Sequence, residues 1–159
     1  MKNKVDIIKE LWEDDPSLSD EELDKRFDIG FDMMEEIAQS QDVGLLPDLL
    51  ELFTDRNEDF GGVCETLQND IEANFTVDQI IEAVSKKFDY LIENDLNRFA
   101  NFSQNFFCYE MPEAFKNFRA MFNRVKPKEA TKYIDAIEEW VGKCFQDEIA
   151  LLREDIKKW

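Results

Sequence analysis

Apolar residues recur at three- and four-residue spacing along nearly the whole chain, and no convincing two-residue alternation interrupts them. That periodicity predicts helices and no sheet. Val5, Ile8, Leu11 and Trp12 share one face of a first helix over 4–13, which Pro16 closes off. Ser19 followed by Glu22 reads as a capping box opening a long helix to about Gln41, with Leu23, Phe27, Phe31, Met34, Ile37 and Ala38 on its apolar side. Gly30, inside that helix, costs ~1 kcal/mol against alanine and marks close packing or a bend. Further helices are predicted over 45–53, 63–73, 76–92, 96–108 and 112–122. Pro127 opens the last and longest, running to the C-terminus.

Five glycines and four prolines leave only short links, so consecutive helices pack mostly antiparallel. The pairs 20–41/45–54 and 63–74/77–92 form candidate helical hairpins, offset by ~42 residues, inside the HEAT/armadillo period. The expected fold is one all-α domain over 1–159: an irregular antiparallel bundle, or a short HEAT-like hairpin stack, with a long C-terminal helix. Fourteen phenylalanines supply a core that a disordered acidic chain lacks. The run from Phe99 to Phe122 reads as core before it reads as a ligand pocket or a base-stacking platform.

Charge changes the picture more than length does. The net charge is −18. Residues 1–95 hold 27 acids against 8 bases, and residues 96–159 hold 10 against 11. Between Glu10 and Ser85 there are 23 acids and three bases, Lys25, Arg26 and Arg56. Such asymmetry speaks to partners, not to fold. It repels nucleic acid and anionic lipid and attracts a basic protein surface.

Chemistry is sparse. The chain has no histidine, which removes the commonest general base, nucleophile partner and zinc ligand. Cys64, Cys108 and Cys144 stand 44 and 36 residues apart with no C-x-x-C, so neither a zinc site nor a disulfide framework is expected. No phosphate-binding glycine motif occurs. The loop Asp55-Arg56-Asn57-Glu58-Asp59-Phe60-Gly61-Gly62 begins like a calcium loop, but its glycine is one place late and Thr66 stands at the twelfth position. A solvated turn is the expected reading, with no metal and no cofactor. The opening MKNKVDIIKELWEDD carries charges within any apolar stretch, and no run approaches a membrane span. The expected compartment is the cytoplasm, and the expected role is not enzymatic.

One stretch carries a family likeness. Leu49-Leu50-Glu51-Leu52-Phe53-Thr54-Asp55, then Glu58-Asp59, Ile71-Glu72 with Phe75, and Ile80-Ile81 resemble the all-α immunity proteins encoded beside bacterial polymorphic and contact-dependent growth-inhibition toxins, the group called immunity protein 30. The likeness covers roughly 43–122. It implies an antitoxin that neutralises a cognate toxin domain in the cytoplasm. Many such toxins are nucleases, and an acidic surface would cover their basic cleft. The alternative is an acidic nucleic-acid mimic or adaptor that captures a basic host or phage protein. A carboxylate-metal hydrolase is the third and weakest reading.

Candidate partner-binding residues are Asp55, Glu58, Asp59 and Phe60 in the acidic loop, with Asp14, Asp15, Asp20 and Glu21 at the first helix junction. Phe60 is the candidate apolar anchor, because charges alone set rate and specificity more than affinity.

Overall fold

Helix starts are fixed locally, and the sequence puts the right side chains there. In a computed structural model that describes residues 3–54, 62–107 and 112–158, Asn3 caps α1 (Lys4–Leu11) by accepting from the Val5 N–H. Reciprocal capping boxes, Ser19 with Glu22 and Thr76 with Gln79, open α2 (Asp20–Gln39) and α5 (Val77–Asn94). Each satisfies two backbone donors that a helix start otherwise leaves open. Between them lie α3 (Leu46–Leu50) and α4 (Val63–Asn74). Then follow α6 (Leu96–Ser103), α7 (Pro112–Met121), α8 (Pro127–Val141) and α9 (Gln146–Lys157). The protein is all-α, and the described residues hold no strand.

α2 stops at Gln39 because Gln41 takes a left-handed backbone, φ 56°, which cannot continue a right-handed helix. α1 and α2 pack together, α4 lies on α2, and α5 lies on α3. First helices therefore meet first helices, and second meet second, as in a stack of two hairpins. α5 also touches α6, α7 and α8. Its buried residues run from Ile80 to Ile92, making it the central strut.

The hydrophobic pattern predicts one unbroken helix from Pro127 to the C-terminus. The chain is indeed helical from Pro127 to Lys157, but a 3₁₀ turn at Gly142–Phe145 divides it. Arg153 reaches back to Asp135 at 3.0 Å. In a straight helix those residues would stand ~27 Å apart along the axis. α9 therefore folds back on α8 and touches the 3₁₀ turn Phe122–Arg124. Past the opening Pro127, Gly142 is the weakest helix former in the segment, and fold-back buries Ile149 and Leu152, which a projecting helix would expose.

One buried apolar cluster runs from Val5 in α1 to Leu152 in α9. Its centre is aromatic: Phe88, Phe99, Phe118 and Phe122 surround Tyr133 with ring centroids 5.2–5.8 Å away, the edge-to-face and tilted spacing such rings favour. Burying each phenylalanine contributes ~1.5–3 kcal/mol. Tyr133 is fully buried, and its hydroxyl lies 2.7 Å from Ser103 Oγ. Burial pushes its phenol pKa well above the usual value. The aromatic run is core, as its helical spacing predicts. Among the described residues no helix is long and apolar enough to cross a membrane.

Candidate protein-binding surface

The α1–α2 junction is built around Trp12. Its indole N–H donates to the Phe27 carbonyl at 3.2 Å, and its ring stacks on Phe27 at 5.7 Å between centroids. Gly30 makes this possible, since a Cβ there would lie 2.4 Å from Trp12 Nε1. Of the two roles expected for Gly30, close packing is the one found. Asp15 then turns the chain toward α2: its carboxylate accepts from the Ser17 N–H at 3.0 Å and the Ser17 hydroxyl at 2.5 Å. Those hydrogen bonds hold its pKa below the ordinary carboxylate value. Glu22 is lowered likewise, by the backbone N–H and hydroxyl of Ser19. Arg26 bridges the junction, donating to the Glu10 carbonyl at 2.6 Å and lying 3.8 Å from Asp15.

Four of the sequence-selected residues lie along this junction. Asp14, Asp20 and Glu21 are exposed, while Asp15 is half-buried and holds the turn. Glu21 is paired with Lys25 at 2.7 Å. Asp14 and Glu13 border a small apolar notch of ≈60 Å³ formed with Leu11, Trp12, Leu23 and Phe27. Asp55, Glu58, Asp59 and Phe60 lie outside the described residues, as does Cys108. Cys64 is buried, as its apolar surroundings suggest, but Cys144 is exposed. Cys144 lies in the 3₁₀ turn Gly142–Phe145 and not within a continuous helix.

The larger feature is an acidic row along α2. Asp20, Asp24, Asp28 and Asp32 recur every four residues on α2, exposed along one flank, and each step advances ~6 Å along the axis. None of them, nor the half-buried Glu35, has an ion pair or side-chain hydrogen bond among the described residues. Ile29 stands at the row's edge, 52% exposed. Its strict four-residue repeat was visible in sequence; that it lacks partners was not.

Several acids elsewhere hold intramolecular cations. Both oxygens of Asp155 accept from Arg119, at 2.5 and 2.9 Å. Asp89 meets Lys126 at 3.0 Å, and Arg153 serves Asp135 and Glu138 together. Near the junction, Glu51 is shared by Lys9 and Lys87, and Lys87 also reaches Asp48 at 3.1 Å. Lys4 pairs with Glu36 at 3.7 Å. The described cations of the N-terminal part are therefore committed to other acids, and the α2 row keeps its charge. Among the described residues no three His, Cys, Asp or Glu side chains are grouped to hold a metal ion.

No family model matches the chain, and no curated protein or solved structure is significantly similar to it.

Proposed function

We propose that this protein is an immunity protein, which binds a cognate toxin domain and neutralises it. The toxin is a nuclease with a basic substrate cleft, and the acidic flank of α2 with the α1–α2 junction covers that cleft. One observation carries the reading: Asp20, Asp24, Asp28 and Asp32 line one flank of α2 at four-residue spacing, exposed and with no cation partner among the described residues. Ile29 and the notch beside Trp12 supply apolar contact within the acidic field, which rim charges alone do not provide.

The test is co-expression with the toxin domain encoded next to this chain. Growth rescue and a stable complex support the reading, and neither appearing would sink it. A second reading, a nucleic-acid mimic that captures a basic host or phage protein, is favoured by the regular ~6 Å carboxylate spacing. It predicts recovery of a DNA-binding protein by pull-down, with no toxin gene adjacent.

A further inference from the structure

A second concave feature shares no residue with the α2 row. It is a cleft of ≈400 Å³ lined by Phe75, Val77, Ile80, Phe102 and Phe106, with Glu72 and Asn105 as its polar members. That volume lies in the range of sites that hold small ligands or anchoring side chains. Its described lining is mostly aromatic and aliphatic and contains no basic residue.

Glu72 is oriented: Oε1 accepts from Asn105 Nδ2 at 2.6 Å and from Gln68 Nε2 at 3.0 Å. Both donors are neutral amides, so the carboxylate is held in place without being neutralised. It forms no ion pair among the described residues. It also sits in the last turn of α4, where no basic residue offsets the negative end of the helix dipole. An apolar slot with a fixed, uncompensated carboxylate calls for a cation on an apolar stem. Phe75, Phe102 and Phe106 are only 3–6% exposed and form an apolar floor, so a planar guanidinium is favoured over an ammonium by its two-pronged pairing with a carboxylate.

We infer that this cleft is a docking site for an arginine-bearing apolar segment of a partner protein, its stem against Phe75, Phe102 and Phe106 and its guanidinium on Glu72. The inference goes beyond the immunity reading and does not require it, because the cleft and the α2 row are separate surfaces.

The probe is the dipeptide acetyl-Leu-Arg-amide, compared with its neutral analogue acetyl-Leu-citrulline-amide, followed through the methyl NMR signals of Val77 and Ile80. The arginine peptide should bind about threefold to fivefold more tightly, the scale of one partly exposed charge pair. Glu72→Gln keeps an acceptor for Asn105 and Gln68 and should abolish that preference while leaving the free protein's methyl spectrum in place. Equal binding of the two peptides would overturn the proposal, and so would a preference that survives in E72Q. Shifts confined to α2 would also overturn it, while leaving the immunity reading standing.

Discussion

Replacing Gly30 by alanine sets two effects of opposite sign against each other. A mid-helix alanine is intrinsically better than glycine by ~1 kcal/mol. The new Cβ, however, would lie 2.4 Å from Trp12 Nε1, 3.0 Å from Cε2 and 3.1 Å from Cδ1. The obstacle is the buried edge of an indole packed against Phe27, so it cannot swing into solvent. If α1 shifts to make room, overpacking costs ~1–3 kcal/mol. If the indole turns, its N–H loses the Phe27 carbonyl, at ~1–3 kcal/mol for an unsatisfied buried donor. Crowding outweighs propensity, and G30A should be less stable by up to ~2 kcal/mol, a fall in melting temperature of up to roughly 8 °C for a chain of this size. Urea and thermal unfolding followed by far-UV circular dichroism measure it. Trp12→Phe removes the offending Nε1 edge, so G30A should be nearly neutral or stabilising in that background, with a coupling of ~1 kcal/mol or more. A G30A protein more stable than wild type, or strict additivity with W12F, would refute the packing argument.

On the proposed immunity role, reversing the unpaired row with D24K, D28K and D32K should weaken binding of the cognate toxin at least tenfold by calorimetry and chiefly slow association. Folding stability should move by no more than ~0.5 kcal/mol per site, since these positions are exposed and unpartnered. Asp155→Asn should destabilise by ~1–3 kcal/mol at pH 7, through loss of the charge-assisted bonds to Arg119. Because Arg119 holds the folded Asp155 pKa below its ordinary value near 3.8, this contribution is full above about pH 4 and is lost as pH falls through the lowered pKa. Urea midpoints of wild type and D155N should therefore converge between pH 7 and pH 3; a constant gap would exclude the linkage. Ser103→Ala should cost ~1–2 kcal/mol by stranding the buried Tyr133 hydroxyl, and Tyr133→Phe added to it should recover part of that loss in the same unfolding assay.

What could be read from the sequence divides by range. The Ser19 and Thr76 capping boxes, the helical periodicity and the aromatic core are set within a few residues, and the structure holds them where the pattern puts them. The fold-back at Gly142–Phe145 was hidden, because a lone glycine inside a helical pattern is usually tolerated. What reverses the chain is burial of Ile149 and Leu152 and the reach of Arg153, both properties of the assembled bundle. The site divides the same way. The junction acids Asp14, Asp15, Asp20 and Glu21 could be picked from local charge. The difference between Glu51, which holds two lysines, and Asp28, which holds none, depends on a Lys87 thirty-six residues away from Glu51. No local charge count separates the two.

Glu51 has a consequence of its own. Its carboxylate joins Lys9 of α1 to Lys87 of α5, while Asp48, three residues earlier, takes Asn3 and Lys87. α1 has eight residues, too few to hold a helix alone in water. This polar clasp, with the Trp12 packing, fixes α1 against the rest of the bundle before any partner arrives. The acidic junction is thereby preorganised, so the proposed association would not spend conformational entropy on ordering it.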